Sequence, residues 1–199
     1  MGILSSRAAE LGRDGPWARR ALRCAALMAA AGAVCAAPAA AAGRTCAHAS
    51  AAPKHLTSTA ADHALQCLIN RERHRHGLRS VRAERHLRRA AQRHARDMAR
   101  KDFFGHVSPG GATMQTRVAR TGYLRRAHEW WLGEALAWGR NRSGSPSAIL
   151  RELLASAPHR AILLDPGFRD LGIGVARGAP RGQGSGALTI ALDFGRRRI

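Results

Sequence analysis

From Glu84 to Lys101 apolar side chains return every three or four residues. Leu87, Ala90, Ala91, Ala95, Met98 and Ala99 fall on one stripe, with His94 among them. That period is a helix's, and it is the clearest element in the chain. The opposite face carries Arg88, Arg89, Arg93 and Arg96, which reads most simply as a solvated face. His94, on the apolar stripe, reads as a satisfied core histidine rather than a ligand. A helix with one apolar face needs a partner to cover it, and the rest of the chain must supply that partner.

The segments around this helix change period along the chain. A first helix is expected from Thr59, with Leu65, Leu68 and Ile69 on one face and Gly77 as its stop. FFGHVSPGG breaks periodicity, and Ala112 to Thr121 reads as a short helix with Met114 and Val118 inward. GEALAWG, Gly133 to Gly139, is strand-like. Ser145-Pro146 suits an N-cap followed by proline in the first turn. The helix it starts shows Ile149, Leu150, Leu153 and Leu154 on its apolar face, ends at Pro158, and gives way to a turn, HRAILL. LGIGVARG and ALTIALDFG then pair as a hairpin across GAPRGQGSG. Helices, a strand, a helix and a closing hairpin predict an α+β domain whose antiparallel sheet is covered by helices.

Not all of the 199 residues need belong to that domain. Arg19, Arg20 and Arg23 precede an Ala-rich apolar run, Ala25 to Ala42, broken only by Pro38. This is the pattern of a cleaved export signal, with an uncleaved membrane anchor as the alternative. The expected organisation is a signal peptide with N-terminal extension over 1–42, an irregular lead-in over 43–58, and the domain over 59–199. Cys24 and Cys35 would leave with the signal. Cys46 and Cys67 remain, an even pair in an exported chain, and are expected to form a disulfide. Secretion or residence in the cell envelope follows from the same reading, and the domain is expected to be monomeric.

The formal net charge is +20, almost all of the basic residues being Arg. Such a surface favours anionic partners. Anionic cell-wall polymer, lipid or another protein are the candidates. Export argues against nucleic acid, and one Tyr and four Phe provide no visible stacking platform for single strands. Contact with a membrane is expected only through the export signal or surface charge.

Several chemistries are excluded by spacing. HEWWL, from His128, opens like a zinc-protease helix, but Leu132 stands where the second histidine is required. GIGVARG lies inside a strand rather than at a strand-to-helix turn, so it is no dinucleotide fingerprint. No nucleophile elbow and no phosphate-binding P-loop occur. What remains is His106 in a Gly/Pro loop, Glu134 at the head of a strand and His159 in a turn after Pro158. Two histidines and a carboxylate could hold zinc with a position open for water, or the carboxylate could act as a general base. Equally, loop histidines are commonly inert, and Glu134 could lie at an exposed strand end.

A family resemblance narrows these alternatives. LINRERHRHGL, with Asn70 and Arg71, HLRRAAQRHARDMAR, FFGHVSP, RVARTGY, GEALAWG, LLASAPHRAILLDPGFRDLGIGV and LTIALDFG occur in that order. This ordered set, from Cys67 to Phe194, resembles a bacterial CAP domain. That is the SCP-like family of cysteine-rich secretory, antigen 5 and pathogenesis-related proteins. The resemblance implies an α-β-α sandwich, with a small antiparallel sheet between helical layers. It also implies a cleft lined by His106, Glu134 and His159, with Glu152 as a further acid. His106 and His159 would then bind zinc or another divalent cation. The implied function is a secreted binding module, with a metal-dependent hydrolase as the alternative. Three departures thin the cleft's polar support: Ala135 stands where the family has Asn, Leu153 where it has Trp, and Ala161-Ile162 where it has a further Asn.

Overall fold

The computed structural model describes residues 2–4, 45–180 and 186–199. The expected signal peptide otherwise lies outside the described residues; of its span only Gly2–Leu4, strand β1, is described. Four helices follow the expected positions closely: α1 Ser58–Arg75, α2 Arg85–Arg100, α3 Met114–Thr121 and α4 Pro146–Ala155. A further helix, α5, spans Ala157–Leu163. The other strands are β2 Arg82–Ala83, β3 Glu129–Arg140, β4 Asp170–Arg177 and β5 Ala187–Arg198. Their order in the sheet is β1-β3-β5-β4-β2. All neighbours are antiparallel except β2, a two-residue strand that runs parallel to β4.

The caps explain why the helices start where they do. Thr57, Glu84, Thr113 and Ser145 each accept a hydrogen bond from a backbone N–H in the first turn of the helix they precede. These N–H groups have no partner inside a helix, so each cap contributes about 1 kcal/mol. One boundary differs from the sequence reading. Pro158 does not end α4; it stands in the first turn of α5, so HRAILL is largely helical rather than a turn. Proline is suited to that position because the N–H it lacks would be unpaired there anyway.

The sheet is apolar on both faces, and each face has its own helices. Ala135, Ala137, Ile173, Val175, Ile190, Leu192 and Phe194 pack with Leu65 and Ile69 of α1 and Ile149 and Leu153 of α4. On the reverse face Leu136, Ala176 and Ala191 meet Ala91, Ala95 and Met98 of α2. Leu87 and Ala90 of α2 cluster with Val118 of α3 and with Tyr123. The α-β-α sandwich is thus present, with α2 and α3 on one side and α1, α4 and α5 on the other. Cys46 and Cys67 are joined, tying the lead-in to α1. Closure of such a loop removes entropy from the unfolded chain, on the order of 3 kcal/mol.

Two side chains of α1 fasten the layers. Asn70 Nδ2 donates to the Val81 carbonyl at 3.0 Å, and the Val81 N–H donates to Asn70 Oδ1 at 2.9 Å. The buried arginine of this helix is Arg73, whereas Arg71 is exposed. Arg73 donates to the carbonyls of Arg79, Leu163 and Asp165. Of the two signature residues in the sequence, Asn70 holds a structural role, while the arginine that does so lies two residues beyond Arg71. A helix turns 100° per residue, so 70 and 73 can face the same neighbours while 71 cannot.

How close α2 lies to the sheet is set by glycine. A Cβ on Gly172 would collide with the carbonyl carbon of Leu87, and one on Gly174 would collide with Ala91 backbone atoms. Both collisions are with helix backbone, which cannot move aside without lifting α2. Gly172→Ala is therefore expected to destabilise the domain by about 3 kcal/mol, as overpacking does. Urea unfolding measures it; a loss within error of zero would mean that the helix can shift freely on the sheet.

Candidate functional site

Glu134 is not at the head of a strand. Pairing of β3 with β5 runs from Glu129↔Arg198 to Arg140↔Ala187, so Glu134 lies mid-strand, opposite Asp193. Its side chain, with Leu136, points to the α2 face and is 3% exposed. A buried carboxylate must be paired, and three elements converge to do this. His106, in the loop after α2, donates from Nδ1 to Glu134 Oε2 at 2.8 Å. Arg117, from α3, donates from Nη2 to Glu134 Oε1. His94, from α2, holds Nε2 3.9 Å from Oε2 while donating to the Gly105 carbonyl at 2.9 Å.

Arg117 also fixes the loop. Its Nη1 donates to the carbonyls of His106 and Ala112 at 2.9 and 2.8 Å. One guanidinium therefore ties the carboxylate to the segment that carries His106. The arrangement holds that imidazole with Nδ1 toward Glu134, and its buried Nε2 has no hydrogen-bond partner among the described residues.

The charges sort themselves by environment. Burial opposes ionisation of Glu134, but the His106 hydrogen bond and the Arg117 charge outweigh it, and the carboxyl is held below its ordinary value. Asp193 is buried beside it with no cation bonded to it among the described residues. Burial, reinforced by the Glu134 charge, pushes its carboxyl well above the ordinary 3.8, which favours the protonated form. Neither Asp193 oxygen has a hydrogen-bond partner among the described residues. Burial also lowers His94 to about 4, against the pull of Glu134, so this ring is neutral. Two adjacent carboxyls driven apart in this way cannot both ionise.

The residues expected in the cleft divide. His106 and Glu134 are in direct contact. His159 is buried on α5, with Nδ1 2.9 Å from Ser156 Oγ. Glu152, on α4, has one buried carboxyl oxygen without a hydrogen bond, and burial raises its pKa. No hydrogen bond or ion pair joins it to Glu134 among the described residues. Three further contributors are not singled out by sequence. His94 reads as core and is both core and neighbour of the carboxylate. Arg117 stands beside Val118 and three residues after Met114, a charge on the inward face of an amphipathic helix. Asp193 interrupts an otherwise apolar strand. Both are visible as misplaced charges once the face is known.

Replacing Arg117 by Met should cost about 3–5 kcal/mol, because it leaves Glu134 charged, buried and short of its cation. Arg117→Met/Glu134→Leu should recover much of that loss; unfolding of both variants measures it, and no recovery would mean that Arg117 matters through the loop alone. Asp193 gives a pH dependence with a definite sign. The folded protein keeps a proton on Asp193 that the unfolded chain releases above its ordinary pKa, so wild type loses stability as pH rises. Asp193→Asn has no proton to lose. Its Tm relative to wild type should climb as pH is raised from about 4 to 8; a constant difference would mean that Asp193 is ionised in the folded state.

The comparisons with known proteins agree with this architecture. YkwD of Bacillus subtilis (strain 168), an uncharacterised protein, is 28% identical over 107 residues, 54% of this chain and 39% of its own length. An extracellular protein containing an SCP domain from Bacillus anthracis str. Ames superposes with a TM-score of 0.54 at 25% identity, over 71% of this chain and 44% of that one. An outer surface protein from Borrelia burgdorferi superposes with a TM-score of 0.60 at 17% identity, over 72% of this chain and 97% of its own. The chain thus spans under half the length of the two Bacillus proteins it matches. The model of the cysteine-rich secretory protein family, CAP, matches residues 66–191, a span that contains the Cys67 anchor, His94, His106, Arg117, Glu134 and His159, and the chain belongs to that family.

Proposed function

We propose that the domain acts outside the cytoplasm or in the cell envelope as a binding module, not as a hydrolase. The observation that carries this reading is the occupancy of Glu134. Oε1 is taken by Arg117 and Oε2 by His106. A carboxylate with both oxygens engaged and its pKa depressed is a poor general base, since a useful base has a pKa near the working pH. The Cys46–Cys67 disulfide is compatible with an oxidising compartment and supports export. Among the described residues no helix is long and apolar enough to cross a membrane.

The donor set left for a divalent metal is small. Among the described residues no group of three or more His, Cys, Asp or Glu side chains could hold an ion. Removing Arg117 from Glu134 to admit a metal would strand the guanidinium in a buried site. The set that remains is His106 Nε2 with His159, two imidazoles. Catalytic zinc sites have three protein ligands and a water, so the residues fall short of that requirement and no hydrolytic step is derived from it. His106 Nε2 is a candidate for weak capture of zinc, with His159 as the second imidazole to be tested and solvent or the bound partner completing the ligands.

Calorimetric titration of the full-length protein with zinc tests this directly. Saturable one-to-one binding is expected for wild type, lost in His106→Ala and in His159→Ala and kept in Glu134→Gln. Absence of saturable heat for wild type would remove the metal from the reading. Loss of binding in Glu134→Gln would show that zinc capture depends on the carboxylate, through coordination or through its hold on His106, and would count against a site made of the two imidazoles alone.

A further inference from the structure

A second concavity lies away from this cluster and shares no lining residue with it. It is a groove of about 710 Å³ between the start of α1 and the solvent face of α2. Six arginines line it: Arg85, Arg88, Arg89, Arg96 and Arg100 from α2, and Arg177 from the end of β4. The solvated helix face seen in the sequence is therefore one wall of a groove.

The charge there is largely uncompensated. Among the described residues Asp62 is the only acid in the lining, and its carboxylate is bonded to Arg88 at 2.8 Å. Arg85 Nε donates to His86 Nε2 at 3.1 Å, and Arg177 donates to the Leu56 carbonyl; both partners leave the positive charge in place. Arg96 and Arg100 have no hydrogen bond or ion pair among the described residues, and both are exposed. The first turn of α1 adds to the field. It carries no acidic residue, and Ser58 and Thr59 at its start line the groove. The unpaired N–H groups of a helix N-terminus are themselves partly positive.

We infer that this groove binds a linear phosphodiester polymer, with phosphates laid along α2. Arg85, Arg89, Arg96 and Arg100 follow the helix at roughly one, two and one turns, so the arginines recur at steps of about 6, 10 and 6 Å over a run of about 22 Å. That is a one-dimensional ladder of cations, matched by a chain of regularly spaced anions. Each guanidinium can meet two oxygens of one phosphate with parallel N–H donors. Other anionic partners fit less well. A bilayer is flat and is gripped by exposed apolar side chains, whereas the exposed large hydrophobic residues among the described residues, Val107 and Ile199, lie outside the lining. Single-stranded nucleic acid requires aromatic platforms, and no aromatic residue lines the groove among the described residues.

Labelled poly(glycerol phosphate), followed by fluorescence anisotropy on the full-length protein at low and high salt, tests the inference. The decisive comparison is between two triple variants that remove the same charge. Arg89→Ala/Arg96→Ala/Arg100→Ala removes the groove, and Arg71→Ala/Arg142→Ala/Arg151→Ala removes exposed arginines outside it. The groove variant should lose about 30-fold or more in affinity and lower the salt slope by about 2–3; the control should stay within about 3-fold of wild type. Equal losses would overturn the inference in favour of a diffuse polycation, and unchanged affinity in both would overturn it outright. Tighter binding of phosphatidylglycerol-rich vesicles or of a deoxythymidine oligomer, with the same sensitivity to the groove variant, would reassign the groove to a membrane or to nucleic acid. The zinc titration and this measurement succeed or fail independently, because the two sites share no residue.

Discussion

The closeness of α2 to the sheet is the constraint on which the rest depends. Gly172 and Gly174 leave the β4 surface bare, and the backbone around Leu87 and Ala91 occupies the space. The stripe of Ala90, Ala91 and Ala95 makes the same allowance from the helix side. Small residues on both partners give a short separation, which favours many dispersion contacts. The consequence reaches the site along the same register. Gly172 pairs with Asp193, and Asp193 pairs with Glu134, so these three form one row across the sheet. His94 lies one turn beyond Ala91 on α2, and the short separation is what brings its ring to the Glu134 carboxylate.

A buried carboxyl pair under a helix is costly unless its charge is managed. Here the management is unequal. Glu134 receives the cation and the imidazole, and the Asp193 carboxyl is shifted toward its neutral form. The guanidinium of Arg117 bonds two loop carbonyls as well as the carboxylate. The polar centre therefore positions the His106 loop against the sheet, which the apolar contacts of α3 alone would not specify. This bears on the missing Asn at Ala135. Residue 135 is fully buried on the opposite face of β3, within the α1 and α4 core, so an Ala there is an apolar packing residue and leaves the Glu134 network untouched.

Legibility from sequence follows the range of the interactions. The extents of α1, α2 and α3 are readable because caps and periodicity are local: Glu84, Thr113 and Gly122 act within one turn of the helix they bound. The closing hairpin is readable for the same reason. The Pro158 boundary is not, because proline both terminates and initiates helices, and only the turn at Ser156 decides which. At the site, His106 and Glu134 can be named from the motifs that carry the resemblance. Arg117 and Asp193 cannot, since a charge inside an apolar pattern has meaning only when its partner is known. His94 shows the limit most clearly: its stripe position correctly implies burial, yet burial alone does not say that the ring faces a carboxylate.

By itself, the sequence determined where α1 to α4 and the closing hairpin lie, the Ser145 cap and the identity of the residues available for chemistry, but not α5 or the two short strands. These follow from spacing along the chain, where neighbours are fixed by covalent geometry. The tertiary structure decided which of those residues meet. Glu134 became mid-strand and internal because β3 pairs along the whole of β5, and the Asp193 carboxyl is pushed above its ordinary value because that pairing sets it beside Glu134 away from solvent. It also turned the Arg face of α2 from a solvated surface into one side of a groove, since only packing of α1 against the sheet supplies the other wall. Through-space charge and burial are properties of that packing, and no periodicity encodes them.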